Sequence, residues 1–163
     1  MRFGLTILGL ALAAWAAPGA ANDDPCLGLT AAEAAGLLGV PAESLKAQRS
    51  RLPQGLWQCS FAGVDAAQTL AYSVERASDT QTAQRELARY RHNLEVAGEA
   101  PPYRGQLPRG AYSEIADVGD ESVWTDVNGS FTFRRGAVTV QVQSPADKLV
   151  KIKAGQLLAN KLR

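Results

Sequence analysis

An α+β fold is the class this sequence predicts: one mainly antiparallel sheet packed with helices on one side, two-layer, in a single domain. Three observations carry it. Trp57, Cys59 and Phe61, then Leu70, Tyr72 and Val74, then Val138, Val140 and Val142, each alternate with polar or small residues, the period of a strand with one core face. Ala83, Leu87, Tyr90 and Leu94 recur at helical spacing instead. The strand patterns arrive in consecutive pairs, which pair most simply as antiparallel hairpins, giving a helix–hairpin–helix–hairpin–helix order.

The first element lies ahead of any domain. Arg2 is followed by an almost wholly apolar stretch from Phe3 to Ala17, then by small residues at Ala17, Gly19, Ala20 and Ala21, then by polar Asn22-Asp23-Asp24. This is the n-region, h-region and small-residue site of a secretory signal peptide, with an apolar run too short for a membrane span. Cleavage after Ala21 uses Gly19 and Ala21; cleavage after Gly19 uses Ala17 and Gly19. The reading is therefore signal peptide 1–21 and one domain 22–163, periplasmic or secreted, with no transmembrane span in the mature chain.

Export governs the reading of the two cysteines, Cys26 and Cys59. In an oxidising compartment an isolated pair bridges, and the spacing is unlike a redox dithiol. Closing a loop of about 34 residues is worth roughly 3–4 kcal/mol in the chain-entropy picture. Cys26 would tether the chain ahead of the first helix to the apolar face of the first strand.

That helix opens on Thr30-Ala-Ala-Glu33, a capping-box pattern, and ends near Gly39, with Pro41 starting a further turn through Leu45 and Lys46. Strands are predicted at Leu56–Ala62 and Thr69–Ala77. A one-sided helix is predicted from about Asp79 to Val96, with Ser78 and Gln81 as a second capping box. Gly98 to Gly110 is loop-like, with Pro101-Pro102, Gly105 and Pro108; Tyr103 and Arg104 are its ligand-binding candidates, suited to anions or peptides. Glu114–Val118 and Ser122–Asp126 are further strand candidates. Asn128-Gly129 is a turn signal, and Phe131, Phe133, Val138, Val140 and Val142 form a hairpin, with Arg134, Thr139, Gln141 and Gln143 outward. Ser144-Pro145-Ala146-Asp147 reads as cap residue, proline at the first helical position and acid in the first turn. Val150, Ala154, Leu157, Leu158 and Leu162 then form a buried stripe, with Lys148, Lys151, Lys153 and Lys161 in solvent.

Charge narrows the function classes. Setting Arg2 aside, 16 of the 17 Lys and Arg remain against 16 Asp and Glu, so the mature domain is formally neutral. A neutral domain has no general attraction for nucleic acid. The basic residues from Arg134 onward fit a solvated terminal helix. His92 is the only histidine and cannot form a histidine cluster; it reads as a surface residue. Glu114, Asp117, Asp120, Glu121 and Asp126 are the densest acidic group, yet Gly119-Asp120-Glu121 reads as a turn and no calcium-loop spacing appears. Trp57 and Trp124 read as core aromatics. No phosphate loop or nucleophile elbow is present, so no catalytic residue, metal or cofactor is assigned.

Several motifs resemble a known group. Asp24-Pro-Cys-Leu-Gly-Leu-Thr-Ala-Ala-Glu33, Trp57-Gln-Cys59, Ile115-Ala-Asp-Val-Gly-Asp-Glu121 and Phe133-Arg-Arg-Gly-Ala-Val-Thr-Val-Gln-Val142 resemble small exported bacterial domains of the DUF3558-type group. The resemblance implies a compact α+β domain of unknown function that binds a ligand or protein, and it supports joining Cys26 to Cys59. Members of that group are typically lipid-anchored; here Asp24-Pro25 precede Cys26, so the anchor site is missing. The functional expectation is a non-enzymatic binding or interaction module for an unidentified small ligand or envelope protein. The alternatives are a structural or stress-related envelope protein, or a small hydrolase.

Overall fold

The computed structural model describes residues 24–97 and 112–163. The stretch read as a signal peptide, and the loop Gly98–Gly110 with Tyr103 and Arg104, lie outside the described residues.

Helix α1 (Ala31–Leu38) starts as its sequence requires. The Thr30 hydroxyl accepts from the Glu33 N–H at 3.2 Å, while Glu33 Oε2 accepts from the Thr30 N–H at 2.8 Å. Gly39, in the left-handed region at φ 68°, ends it. One 3₁₀ turn at Ala42–Ser44 follows, and then strand β1 (Lys46–Arg51), which the sequence pattern did not announce. All six of its residues are exposed, so it has no apolar alternation to read. Main-chain pairing with β2 (Trp57–Ala62) makes it a strand, and its lysine and arginines suit an outer edge that must not recruit other chains.

Strands β2 and β3 (Thr69–Arg76) form the expected hairpin, with Cys59 opposite Tyr72 and Phe61 opposite Leu70. Helix α2 runs over Thr80–Ala97. Its start departs from the expected Ser78–Gln81 box: Asp79 Oδ1 accepts from the Thr82 N–H at 2.8 Å, and Ser78 Oγ bonds Asp79 Oδ2 at 2.9 Å. Then come β4 (Tyr112–Ser113), β5 (Glu121–Thr125), β6 (Ser130–Arg135), β7 (Val138–Val142) and helix α3 (Lys148–Lys161).

Two local expectations are corrected. Glu114–Val118 is not a strand. Asp117 and Gly119 both turn left-handed, at φ 63° and 69°, and the chain folds back there so that the Asp120 N–H donates to the Arg134 carbonyl at 2.8 Å. A Cβ on Gly119 would collide with that carbonyl, so close approach requires glycine. The cap of α3 is Asp147, whose Oδ1 accepts from the Val150 N–H at 2.9 Å, three residues later than expected. Ser144 is occupied elsewhere: its hydroxyl donates to the Thr69 carbonyl and accepts from the Ala146 N–H.

The seven strands make one antiparallel sheet in the order β1-β2-β3-β7-β6-β5-β4. Register carries one apolar row across it, from Cys59 through Tyr72, Val142 and Phe131 to Trp124. Helices α1 and α3 cover this face, and the core lies between. Phe131 and Phe133 are fully buried there, each worth roughly 1.5–3 kcal/mol of apolar burial. In α3, Ala154 and Leu158 are buried as expected, and Gly155 and Ala159 join them; Val150, Leu157 and Leu162 are half-buried. Two lysines depart from the solvent-facing reading: Lys151 is buried and donates to the Gly129 carbonyl at 2.6 Å, and Lys161 is half-buried.

The disulfide joins Cys26 to Cys59, 33 residues apart, and both cysteines are almost wholly buried. It fastens the segment before α1 to the apolar face of β2. The Tyr72 phenol adds a buried hydrogen bond to the Cys26 carbonyl at 2.7 Å, and burial pushes its pKa up.

The helices divide between faces, which corrects their placement on one side. α1 and α3 form the main layer against the sheet, whereas α2 crosses the opposite face. Val123, which points away from the Trp124 side of β5, packs with Leu87 and Leu94, and Tyr90 and Tyr112 join them. Strand β6 is therefore covered on both faces, and five of its six residues are buried.

Candidate ligand-binding cleft

The face under α2 is built from the positions that alternate with the core row. Alternation makes them polar: Ser73 and Glu75 on β3, Thr139 and Gln141 on β7, Thr132 on β6. At the β4–β5 end, Val123 and Tyr112 give α2 an apolar seat for Leu87 and Leu94. Beyond that seat, the positions of β3, β7 and β6 that line the space under the helix are all polar. A cleft of about 290 Å³ opens between them.

The α2 side of this cleft carries Glu86, Arg89, Tyr90 and Asn93, and Leu56 supplies an aliphatic edge. The Tyr90 hydroxyl lies 3.3 Å from Ser130 Oγ, which also accepts from Gln141 Nε2 at 3.5 Å. Gln143 donates to Gln141 Oε1 at 2.6 Å, so Gln141 is held from two sides. Burial, and then the charge on Glu86, push the Glu75 carboxyl above its ordinary value, with Arg89 pulling the other way.

Two atoms in the cleft lack hydrogen-bond partners among the described residues although they are buried: Glu86 Oε2 and Thr132 Oγ1. Thr132 is only 5 % exposed. Native structures rarely leave such groups unpaired, since each unpaired group costs about 1–3 kcal/mol.

The acidic group noted in the sequence has a different fate. Arg134, expected outward, is 3 % exposed. Its guanidinium reaches Glu121 Oε1 at 2.8 Å, Asp120 Oδ2 at 3.0 Å and the Gly136 carbonyl at 2.9 Å. Arg91 takes the other Glu121 oxygen at 2.9 Å and Glu114 at 3.2 Å. Glu114, Asp120 and Glu121 are therefore engaged by two arginines that bind the 114–121 turn to α2 and β6. Asp126 accepts from the Trp124 indole at 2.6 Å. His92 is exposed, as expected, with Glu95 3.9 Å away, and does not line the cleft.

Tyr103 and Arg104 lie outside the described residues, so the cleft is built without them. The residues that do form it carried no functional signal in the sequence, where Thr139 and Gln141 read only as outward positions of a strand and Tyr90 only as part of a helix stripe. One signal was present: every outward residue of β3, β7 and β6 belongs to one face, and the amphipathic helix between the hairpins must cross some face. What the fold and cleft define is an α+β domain with a polar recess between one helix and an open sheet face. No family model, curated protein or solved structure matches this chain.

Proposed function

We propose that this chain is an exported, non-enzymatic binding module that takes a small polar ligand in the cleft between α2 and the sheet. One observation carries the reading: Thr132 is buried, lines an open cleft and has no partner for its hydroxyl among the described residues, and Glu86, which lines the same cleft, has an Oε2 in the same condition. A ligand that supplies the missing hydrogen bonds recovers what burial costs those groups.

Export rests on the Arg2–apolar–small-residue segment, and the Cys26–Cys59 bridge fits an oxidising compartment. Among the described residues no helix is long and apolar enough to cross a membrane. The periplasm or the medium is the proposed location, and kinship with the DUF3558-type group is part of the same proposal. Binding is preferred to catalysis because the one histidine, the side chain best suited to proton transfer near neutral pH, is exposed away from the cleft.

The test is a heteronuclear NMR titration of the processed protein with small polar metabolites. Shifts should centre on Thr132, Gln141 and the α2 residues 86–93. Thr132→Val, which keeps shape and removes the hydroxyl, should weaken binding about five- to ten-fold. Ligands that shift only the β1 edge, or none that shift the cleft, would overturn the proposal.

A further inference from the structure

The charge of the cleft selects among polar ligands, and the inference rests on the binding reading above. Its lining holds two carboxylates, Glu75 and Glu86, and one guanidinium, Arg89. Within that lining, among the described residues, carboxylates outnumber guanidinium groups by one, and Arg85 joins Glu86 and Arg89 in an adjoining groove along α2. Glu86 Oε2 is buried and has no hydrogen-bond partner among the described residues. An ionised carboxylate accepts hydrogen bonds only, and a cationic N–H donor gives bonds roughly twice as strong as a neutral one.

The remaining lining limits the rest of the ligand. Ser73, Thr132 and Thr139 present hydroxyls, Asn93 and Gln141 present amides, and the aliphatic contribution is Leu56. Such a surface pairs with hydroxyl groups, each able to donate and accept, and offers little to a hydrocarbon. At about 290 Å³ the cleft stands at the bottom of the range of ligand pockets, about 300–1,000 Å³, which excludes a folded partner or an oligomer held whole inside it.

We infer that the cleft binds a small hydroxylated amine, with its protonated nitrogen on Glu86 and its hydroxyls on Thr132 and the amide side chains. Amino sugars and amino alcohols are the chemical class. No bond is made or broken in this step; the ammonium replaces water on a carboxylate that the fold has already partly dried.

The experiment uses the processed protein and calorimetry in a phosphate buffer, free of competing amines. The probes are glucosamine, galactosamine and serinol, each with its N-acetyl counterpart, and glucose as the polyol without nitrogen. At least one free amine should bind about ten-fold more tightly than its acetylated form and than glucose. Glu86→Gln should bring that preference to within about twofold, and Thr132→Val should weaken amine and acetylated forms by similar factors. Equal affinity for acetylated and free amines, or no binding of any free amine, overturns the ligand class. Amine binding that survives both substitutions unchanged overturns the cleft as the site, which separates failure of the class from failure of the binding reading. Thermal melts of both variants guard against misfolding, and Glu86→Asp, keeping the charge, should retain a preference for the free amine.

Discussion

Gly155 lies inside α3, where alanine would ordinarily favour the helix by about 1 kcal/mol. Here a Cβ would run into the ring of Phe131, which is fully buried. Overpacking of that kind costs about 1–3 kcal/mol, more than propensity returns. Gly155→Ala should therefore lower the urea midpoint without changing the m-value; a variant as stable as wild type would mean that the ring has room to move. Arg134 shows the opposite limit of residue-level reading. Its place on the polar side of β6 follows from alternation, but its burial does not. That burial depends on Asp120 and Glu121, fourteen and thirteen positions earlier in the chain, folding back at Gly119 to meet it. No local window contains both partners.

Among the elements, α1 depends most on its anchorage. It is eight residues long, and isolated helices of that length are marginal in water. Its capping box sets its start, while the Cys26–Cys59 bridge and the Tyr72 hydrogen bond hold the preceding segment to β2 and β3. Reduction, or Cys59→Ala, should destabilise the domain by about 2–4 kcal/mol. Hydrogen exchange should rise first in residues 24–51, and later in β6, β7 and α3. Uniform loosening of the whole chain would show that the bridge supports the sheet rather than the N-terminal segment. Thiol titration of unfolded, unreduced protein should find no free cysteine. Element existence was largely readable in the sequence: α2, α3 and the strands β2, β3, β6 and β7 follow an apolar period, α1 follows its capping box, and β5 read as a short extended piece. β1 was not readable, because an exposed edge strand is specified by its neighbour's main chain and leaves no periodic trace in its own side chains.

For the molecule as a whole, one contact joins the two ends of the described chain. Lys161, at the end of α3, reaches Glu33 Oε1 at 2.9 Å and the Gly28 carbonyl at 3.2 Å. Burial works against the Glu33 carboxylate, but hydrogen bonds from Lys161 and Thr30 outweigh it and hold the carboxyl below its ordinary value of 4.5. A lowered native pKa means that the folded state favours the ionised form. Its stabilisation is present above the ordinary glutamate range and is lost as pH falls through the lowered native value. Wild type should therefore exceed Glu33→Gln in stability near neutral pH, and the gap should close as acid protonates Glu33. Denaturant midpoints for both proteins across the acidic range check this; a gap independent of pH would assign the loss to capping geometry alone.

By itself the sequence determined the α+β class, the disulfide partners, the hairpins and the core row, since each depends on a period or a pairing visible along the chain. Only tertiary structure decided which side of the sheet each helix took. An amphipathic stripe states that a helix must be covered, not by which face, and both faces of this sheet had something to offer. α1 and α3 took the aliphatic and aromatic face, and α2 took the polar one, seated at one end on Val123 and Tyr112. The cleft follows from that choice. Glu86 is 46 positions from Thr132, and neither carries a local signal; they share a site because a helix seated at one end of a polar sheet face leaves the other end open.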